Sequence, residues 1–201
     1  MNNIDLERYN RQISLPEIGI DGQKKLSQTR VLIVGVGGLG SPISIYLTAA
    51  GVGTIGLIDN DVVSISNLHR QVLYGSSQVN MPKTDCAYNR LHDLNPNVII
   101  NTYNIRLDRN NAEKIFADYD YIVDACDNFA TRYIINDVCK ALHKTYVYGA
   151  IAQFHGQVAV FDYSSDVDYN TLYPDREYLE NFQATQAPPV IGVTPAMGGI
   201  S

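Results

Sequence analysis

Residues 30–40 read RVLIVGVGGLG, and this stretch decides the fold class of the chain. Residues 31–34 have the apolar composition of a short buried strand, and the glycines that follow are spaced as G-x-G-x-x-G. Residues 43–50 are predicted to form a helix, with Pro42 near its first turn, where a missing N–H costs little. A strand, a glycine turn and a helix in this order predict the first unit of a parallel α/β sheet.

The glycine turn predicts an anion-binding site. Glycines carry no Cβ atom, so backbone N–H groups can approach a ligand closely, and the helix N-terminus adds its partial positive charge. Asp59 closes the next apolar run, residues 54–58, nineteen residues after Gly40. Its carboxylate can accept hydrogen bonds from ribose hydroxyls. We therefore predict a nucleotide site, and the turn and Asp59 alone fit NAD and ATP equally.

The remaining sequence alternates predicted strands with predicted helices. Further strands are predicted at 98–104, 121–125, 146–150 and 157–161, and further helices at 22–28, 83–94, 111–117 and 129–142. The alternation predicts a Rossmann-like α/β fold, a mostly parallel sheet with helices on both faces, whose last strand pair turns at Gly156 and is antiparallel. We expect a single domain over residues 1–201. Its parts are an arm (1–29), a nucleotide-binding core (30–161), and a crossover loop with a shortened C-terminal segment (162–201).

Composition and charge are those of an ordinary globular protein. Of the 201 residues, 45% are hydrophobic and 18% are charged, and one domain of this size can bury a substantial core. No apolar run reaches the roughly 20 residues that a membrane span needs, and the polar N-terminus is unlike a signal peptide. Three cysteines without a C-x-x-C pair argue against a disulfide framework, so we expect a cytoplasmic protein. A net charge of −6 without a Lys/Arg cluster argues against a nucleic-acid partner.

A dense polar run, residues 59–71, follows the second predicted strand, and Lys83 comes twelve residues after it. Ligands of α/β sheets bind at this carboxyl edge. Arg70 and Lys83 can neutralise the charge of a triphosphate, and Asn67 can bridge sugar and phosphate. A hydride-transfer site has no need of these cations beside a ribose carboxylate, so the run favours ATP over NAD. Taken singly, each of these residues also fits a solvated loop.

A second polar cluster, residues 124–132, follows the predicted strand at 121–125. Asp127 is a candidate Mg²⁺ ligand, because carboxylates are the usual protein ligands of that ion. Asp127 or Asn128 can instead cap the helix that follows. The sequence leaves both roles open for Asp127.

Nine short motifs, taken together and in order, resemble those of one enzyme family. They are RYNRQ (8–12), DGQ (21–23), VGVGGLGS (34–41), AGVG (50–53), DND (59–61), SNLHRQ (66–71), PK (82–83), LNP (94–96) and DNFATR (127–132). This set resembles the ThiF/MoeB/HesA family, which is related to the ubiquitin-activating enzymes. The resemblance covers nearly the whole chain.

The resemblance implies an adenylyltransferase. In this family the C-terminal Gly-Gly carboxylate of a small ubiquitin-like sulfur-carrier protein, ThiS- or MoaD-like, attacks the α-phosphate of Mg-ATP and releases pyrophosphate. The reaction serves thiamine or molybdopterin biosynthesis. Because a carboxylate is already ionised at neutral pH, catalysis needs no general base and consists of positioning and stabilisation of phosphate charge.

The resemblance also implies the residues of the site. The nucleotide-binding set is Gly35, Gly37, Gly38, Gly40, Asp59, Asp61, Asn67, Arg70, Lys83, Asp127 and Asn128. In this set Asp59 takes the ribose, Asn67, Arg70 and Lys83 contact the phosphates, and Asp127 handles Mg²⁺. The implied catalytic set is Arg11, Arg70, Lys83 and Asp127. Arg11 is implied to reach the triphosphate of the neighbouring subunit, which predicts a homodimer; without the resemblance it is a surface charge.

The chain departs from the family pattern at its cysteines. Family members carry Cys-x-x-Cys before a Leu-aromatic-Pro segment and a second pair near the C-terminus, which together bind zinc. Asp168 and Thr171 stand at the first pair of positions and the second pair is absent, so we predict no structural zinc. Some relatives use a crossover-loop cysteine for a covalent bond to the carrier; residues 162–201 contain none, and Asn181 stands near the expected place.

The remaining cysteines favour adenylation without a covalent relay. Cys126 comes close to the predicted nucleotide site, but a small buried residue at a strand end is the simpler interpretation, and Cys139 is predicted to lie in the core. Residues 188–193, PPVIGV, resemble the family's Gly-Pro-Val-Val-Gly-Val, after which a helix and strands normally follow. We therefore expect a C-terminal part that is truncated or naturally shortened.

Two alternative functions remain open. A non-catalytic relative that binds ATP or a partner is favoured by the missing cysteines and opposed by the presence of Arg11, Arg70, Lys83 and Asp127. A nicotinamide-dependent oxidoreductase is disfavoured, because no proton donor stands in a recognisable hydride-transfer arrangement. The sequence favours neither the thiamine nor the molybdopterin pathway.

Overall fold

The computed structural model describes residues 3–163 and 167–181 and contains one open, six-stranded sheet. The strands are β1 (Arg30–Val34), β2 (Thr54–Ile58), β3 (Ile99–Tyr103), β4 (Tyr121–Asp124), β5 (Thr145–Ala152) and β6 (His155–Phe161). Their order is β3-β2-β1-β4-β5-β6, and the first five strands are parallel. β6 pairs antiparallel with β5, with Ala152 opposite His155. The predicted fold class and the antiparallel last pair are confirmed. The predicted turn at Gly156 is wrong: Gly156 lies inside β6, where it pairs with Ile151, and the chain turns at Gln153, whose φ of +55° suits a tight turn, and Phe154.

Helices precede, connect and follow these strands. They are α1 (Asn3–Arg8), α2 (Asn10–Ile13), α3 (Gly19–Gln28), α4 (Gly40–Ala50), α5 (Lys83–Leu94), α6 (Ala112–Phe116), α7 (Phe129–Leu142), α8 (Tyr169–Leu172) and α9 (Arg176–Asn181). None of the helices in this part of the chain is long and apolar enough to span a membrane. The arm predicted at 1–29 thus contains helices, and so does the loop predicted after β6. Residues 182–201, with the PPVIGV segment, lie outside the described residues.

The alternation of side chains along β1 divides the core into two layers. Ile33 belongs to a buried cluster with residues of α4 and α5, whereas Leu32 belongs to a cluster with residues of α6 and α7. Successive side chains of a strand point to opposite faces, and a strand covered on both faces is therefore apolar throughout. Both faces of the sheet centre are covered, which is what the uninterrupted apolar run in β1 predicted. Cys139 lies in the second layer, as predicted.

A cluster of tyrosines attaches α8 to the sheet and to α7. Tyr169 is fully buried, with ring centroids 5.1 Å from Tyr133 on α7 and 5.2 Å from Tyr148 on β5. The Tyr133 hydroxyl donates a hydrogen bond of 2.7 Å to the carbonyl oxygen of Tyr173. Aromatic pairs in such edge-to-face and tilted geometries add to the free energy gained by burial. The segment after β6 was predicted as a loop because a helix of one turn shows no apolar periodicity.

Asp168 and Thr171, at the positions of the first family cysteine pair, form a reciprocal cap of α8. The Asp168 carboxylate accepts a hydrogen bond from the Thr171 N–H, and the Thr171 hydroxyl oxygen accepts one from the Asp168 N–H, both at 3.2 Å. Lys140 Nζ donates to the second Asp168 carboxylate oxygen at 2.9 Å. These side chains supply no thiolate and already have partners, so this pair does not fit the tetrahedral zinc site of the family.

We predict that Asp168→Asn destabilises the protein by about 1 kcal/mol near neutral pH. Burial acts to raise the pKa of Asp168, but the hydrogen bonds from Lys140 and Asn170 outweigh it and hold the pKa below its usual value. The charge therefore stabilises the fold above the unfolded pKa of about 4, and this stabilisation is lost as the pH falls through the lower folded pKa. Urea unfolding of both proteins between pH 7 and pH 3 measures the difference.

The exposed Asp118→Asn serves as the matched control and should leave the free energy of unfolding unchanged. A difference between wild type and Asp168→Asn that is the same at every pH would contradict a role for the carboxylate charge.

Candidate functional site

The sheet order places the carboxyl ends of β1 and β4 side by side. After β1 and after β4 the chain turns to opposite faces of the sheet. β1 leads to α4, which packs in one core layer, and β4 leads to α7, which packs in the other. Such a switch point leaves a crevice at the carboxyl edge of the sheet, where α/β proteins bind their ligands. The glycine loop (35–39) and the β4–α7 loop (125–128) line this crevice.

Two glycines allow these loops to pack closely. Gly35 has φ +91°, and a Cβ atom there would lie 2.7 Å from the carbonyl oxygen of Ala125. A Cβ atom on Gly40 would overlap the carbonyl oxygen of Gly35. Any larger residue at either position would force the backbone to move. The glycine loop and the β4–α7 loop therefore form one tightly packed unit.

Side chains from distant parts of the chain fix the glycine loop at Val36. Its N–H donates to Asp59 Oδ2 at 2.8 Å, and its carbonyl oxygen accepts a 2.7 Å hydrogen bond from the Tyr74 hydroxyl. Asp59 Oδ1 also accepts from the Asp61 N–H at 2.9 Å. Burial, with a further contribution from Asp59, raises the pKa of Tyr74, so this hydroxyl remains a donor at neutral pH. Tyr74 was not predicted, because nothing in the sequence links it to a loop 38 residues away.

The middle of the glycine loop presents free donors to the crevice. Within residues 3–163 and 167–181, no group accepts a hydrogen bond from the N–H of Gly37 or Gly38. α4 begins at Gly40 and runs for 11 residues. Unpaired N–H groups at the start of a helix of this length are suited to a phosphate. The free N–H groups agree with the predicted anion-binding role of Gly37 and Gly38, which stays a prediction.

Lys83 lies beside the carboxylate predicted to take the ribose. Its Nζ atom is 2.8 Å from Asp61 Oδ2 and 3.9 Å from Asp59 Oδ2, and the residue is only 4% exposed. The Lys83 N–H also donates to the Asp61 carbonyl oxygen at 3.0 Å, which ties the start of α5 to the loop after β2. The structure thus brings Asp59, Asp61 and Lys83 together, and the ion pair with Asp61 holds the Lys83 ammonium group in place.

Asn67 and Arg70 lie on the turn that follows, in the polar run predicted for phosphate. Asn67 ends a short 3-10 helix (Ile65–Asn67), and its carbonyl oxygen accepts from the Arg70 N–H at 3.1 Å. Arg70 Nη1 lies 3.5 Å from the Ser66 carbonyl oxygen and 3.3 Å from His69 Nε2. Arg70 has no carboxylate partner in the described part of the chain, so its charge is available to a ligand.

Asn128, and not Asp127, caps α7. The Asn128 Oδ1 atom accepts a 2.9 Å hydrogen bond from the Thr131 N–H. The Asp127 side chain is exposed and has no hydrogen-bond or ion-pair partner among the described residues. An exposed carboxylate fits Mg²⁺, which proteins commonly bind through one or two carboxylates together with substrate phosphates.

A buried ion pair, not predicted from the sequence, lies behind Asp127. Asp124 is fully buried, and Arg132 Nε approaches its Oδ2 atom to 3.6 Å. The Tyr146 hydroxyl donates to the same oxygen at 2.8 Å, and the Cys126 N–H donates to Oδ1 at 2.9 Å. Burial raises the pKa of Asp124, while Arg132 acts in the opposite direction. Asp124 and Arg132, at the two ends of the DACDNFATR stretch, were the sequence signal from which this ion pair could have been predicted.

Cys126 is unsuited to covalent chemistry. Burial, followed by the nearby Asp124 carboxylate, raises the pKa of its thiol well above the usual value. The Sγ atom lies 3.6 Å from the Asn128 carbonyl oxygen. Because the thiolate is the nucleophilic form, a thiol with a raised pKa is unreactive at neutral pH. The prediction that Cys126 is a structural residue gains a physical reason here.

Arg11 lies far from the glycine loop of its own chain. The adjacent Gln12 donates to the carbonyl oxygen of Ala50 at 3.1 Å, and Gln23 on α3 donates to the same oxygen at 2.9 Å. Ala50 ends α4, whereas the glycine loop precedes it, and a helix of 11 residues is about 16 Å long. Arg11 is thus the one predicted catalytic residue that the described fold does not bring to the crevice.

An open sheet whose crevice offers free N–H groups beside a carboxylate and a buried lysine defines a nucleotide-binding domain of the Rossmann type. The chain belongs to the ThiF family, whose sequence pattern matches residues 9–201. This confirms the family predicted from the sequence.

Curated relatives cover nearly all of the chain. The sulfur carrier protein adenylyltransferase of Thermus thermophilus is 45% identical in an alignment of 200 residues that covers 97% of this chain and 74% of the relative. A probable molybdopterin-synthase adenylyltransferase of Porphyra purpurea is 42% identical, over 96% of this chain and 50% of the relative. The probable adenylyltransferase/sulfurtransferase MoeZ of Mycobacterium tuberculosis is 43% identical, over 98% and 48%. The chain thus spans about half the length of the last two. All three are named as adenylyltransferases, which confirms the predicted enzyme class.

Solved structures share the fold. PaaA matches with a TM-score of 0.79 and 27% identity, over all of this chain and 64% of PaaA. MccB from E. coli, solved with AMPCPP and MccA, matches with a TM-score of 0.77 and 23% identity, over 96% of this chain and 60% of MccB. Both likenesses agree with the Rossmann-like sheet described above.

Gly37→Ala and Gly40→Ala should separate loop packing from ligand binding. A Cβ atom on Gly37 would lie 3.4 Å from Gln71 Nε2, so the fold should tolerate it, but ATP affinity should fall about tenfold because the backbone can no longer approach the phosphates as closely. Gly40→Ala should also lose about 2 kcal/mol or more of stability. Calorimetric ATP titration and thermal unfolding measure these effects. Wild-type ATP affinity in Gly37→Ala would contradict this role of the loop.

Cys126→Ala should bind ATP as tightly as the wild type, because the thiol is neutral and holds no ligand. In the folded wild-type protein, iodoacetamide at pH 7.5 should modify Cys126 far more slowly than in protein unfolded by urea, which mass spectrometry measures. Rapid alkylation of the folded protein would show a reactive thiolate and contradict the assignment.

Proposed function

We propose that the chain binds Mg-ATP in the crevice and adenylates the C-terminal Gly-Gly carboxylate of a small ubiquitin-like sulfur-carrier protein, releasing pyrophosphate. The observation that carries the proposal is the pair of free N–H groups at Gly37 and Gly38.

The cations Arg70 and Lys83 are both linked to the glycine loop through neighbouring side chains. Gln71, which follows Arg70, lies 3.4 Å from the Cβ position of Gly37. Asp59, which accepts a hydrogen bond from the glycine loop, lies 3.9 Å from Lys83 Nζ. A nicotinamide site gives no role to these cations. The relatives' printed names, which include sulfur-carrier and molybdopterin-synthase adenylyltransferases, support the same reaction.

The hydrogen bonds already present suggest how ATP lies in the crevice. Each Asp59 oxygen accepts one backbone hydrogen bond, and a carboxylate oxygen has two lone pairs, so both ribose hydroxyls can still donate to it. The phosphates then lie over Gly37 and Gly38, with Lys83 and Arg70 on the side of the loop after β2. Lys83 keeps its position through Asp61, so little side-chain entropy is lost when phosphate binds.

The proposed chemistry needs charge stabilisation and no proton transfer. The attacking carboxylate is ionised, and the negative charge that grows on the departing pyrophosphate is met by fixed N–H donors and cations. Mg²⁺, held by Asp127, supplies neutralisation of the phosphate charge when it is bound. Asn128 fixes the start of α7 and thereby the backbone next to Asp127.

The position of Arg11 supports a homodimer. Arg11 is exposed and has no carboxylate partner in the described residues, and the neighbouring Gln12 bonds to Ala50 at the end of α4 opposite to the glycine loop. An arginine that contacts the triphosphate from this part of the fold would therefore come from a second copy. We therefore propose a twofold dimer in which each Arg11 contacts the triphosphate bound by the partner.

The cellular setting is part of the proposal. We propose one domain over residues 1–201 that works in the cytoplasm on a ThiS- or MoaD-like carrier, without zinc. The pathway is that of thiamine or of the molybdopterin cofactor, and the carrier that supports the reaction identifies which.

The decisive test is ATP–pyrophosphate exchange with a panel of ThiS- and MoaD-like carriers that end in Gly-Gly. Exchange should require a carrier and should fall at least about 100-fold in Asp127→Ala, because phosphate charge is then left unbalanced. The exposed Asp118→Ala, on the loop after α6, is the matched control and should retain full activity. ATP binding without exchange for any carrier would instead identify a non-catalytic relative.

Mixing variants tests Arg11. Arg11→Ala and Asp127→Ala should each be inactive alone, whereas a mixture with free subunit exchange should regain about a quarter of wild-type exchange activity, since half of the dimers then hold one complete site. Exchange activity measured over a series of ratios of the two variants checks that it follows the expected fraction of mixed dimers. No recovery in mixtures shown to contain mixed dimers would place Arg11 outside the partner's site.

A further inference from the structure

We propose that Arg132 is a positioning residue for the β4–α7 loop (125–128), which carries Asp127. Arg132 links this loop to the α8 segment (168–173), so that Mg²⁺-dependent nucleotide binding depends on contacts remote from the nucleotide. This inference rests on the proposed role of Asp127.

Arg132 contacts the backbone of the loop directly. Its Nη2 atom donates a 2.9 Å hydrogen bond to the carbonyl oxygen of Cys126, the residue immediately before Asp127. The Cys126 N–H is held by Asp124, the acidic partner of Arg132. The N–H and the carbonyl oxygen of Cys126 are therefore both hydrogen-bonded to the Asp124–Arg132 ion pair. This leaves the backbone before Asp127 little freedom to move.

Aromatic rings hold the guanidinium from two sides. The Arg132 Cζ atom lies 5.5 Å from the ring centroid of Phe129 and 5.5 Å from that of Tyr148. A planar guanidinium stacks on such rings and donates hydrogen bonds in its plane, which a lysine ammonium cannot reproduce. The orientation of Arg132, and with it the Cys126 carbonyl, is therefore set by ring positions.

The same rings are held by the α8 segment. Tyr169 packs on Tyr148, and Tyr173 packs edge-on against Phe129 with a centroid distance of 5.7 Å. The Asp168–Thr171 cap holds Tyr169 at the start of α8. A change in this segment thus has a continuous path of packed rings to Arg132. Packed networks of this kind transmit about 0.5–2 kcal/mol, or roughly two- to thirty-fold in affinity.

The loop held by Arg132 also supports the glycine loop. Ala125 N–H donates to the Val34 carbonyl oxygen at 2.8 Å, and Ala125 leaves no room for a Cβ atom on Gly35. Arg132 takes no part in these two backbone contacts. We therefore expect Arg132 to control the Asp127 side of the crevice, and ATP binding in the absence of Mg²⁺ to be nearly independent of it.

Calorimetric titration of the full chain with α,β-methylene-ATP tests this, once with EDTA and once over a series of Mg²⁺ concentrations. Arg132→Lys should raise the Mg²⁺ concentration for half-maximal enhancement of binding about fivefold or more. Its affinity for the nucleotide in EDTA should stay within about twofold of wild type. A general loss of structure would not produce this split between the Mg²⁺ and EDTA titrations, because it would weaken binding in both. Tyr169→Leu should give a smaller shift in the same direction.

Arg30→Lys and Tyr119→Leu are the matched controls. The Arg30 Cζ atom lies 5.6 Å from the ring centroid of Tyr119, and the Tyr119 hydroxyl accepts a hydrogen bond from Asn101 on β3. Arg30 begins β1, at the edge of the sheet opposite to the crevice, so this pair repeats the stacking of an arginine on a tyrosine away from Arg132. Tyr119→Leu should lower the thermal midpoint, and neither variant should change the Mg²⁺ dependence. If Arg132→Lys does not fold, Phe129→Leu, which removes one stacking face and keeps the ion pair, should show the same split.

Asp127→Ala in the same assay separates the two proposals. If it leaves the Mg²⁺ dependence unchanged, the assigned role of Asp127 fails. If it changes the Mg²⁺ dependence while Arg132→Lys, or Phe129→Leu in its place, behaves like the controls, the positioning role of Arg132 is overturned and the proposed function stands.

Discussion

The close backbone contact between the glycine loop and the β4–α7 loop is the constraint on which the site depends. Gly35 and Ala125 approach so closely that no side chain fits between them, and Gly40 lies against the Gly35 carbonyl. These contacts bring the end of β1 and the end of β4 to one crevice. The free N–H groups of one loop and the carboxylate of the other can then serve a single ligand.

Charges around this crevice are held by partners from separate elements. Asp59 joins the glycine loop to the region of Lys83, and Asp124 joins β4 to α7 through Arg132. In a low-dielectric setting such paired charges keep fixed positions, whereas exposed charges adapt to a ligand. The site thus combines fixed groups with the exposed Asp127 and the unpaired Arg70, which are suited to respond to bound phosphate.

Much of the fold and part of the site could be predicted from local patterns. The apolar run of β1, the glycine spacing and the position of Asp59 identified the nucleotide crevice, because each follows from backbone geometry over a few residues. Tyr74 and the tyrosines around Tyr169 could not be predicted, since their roles arise from contacts between elements distant in sequence. Arg132 was also missed, although Asp124, its acidic partner, lies only eight residues before it. The segment after β6 gave no helical pattern because its helices, of four and six residues, contain too few turns for an apolar repeat to be recognised.

The sequence by itself determined the family, the order of strands and helices between residues 22 and 161, and the residues that carry charge to the carboxyl edge. It also placed a cap at residues 127–128, but the tertiary structure decided that Asn128 is the cap and that Asp127 is left exposed. Only the tertiary structure put Gln12, and with it the segment that carries Arg11, at the end of α4 opposite to the glycine loop. The reason is physical: residue type and spacing fix which groups are available, whereas the packing of elements far apart in the chain fixes which groups meet.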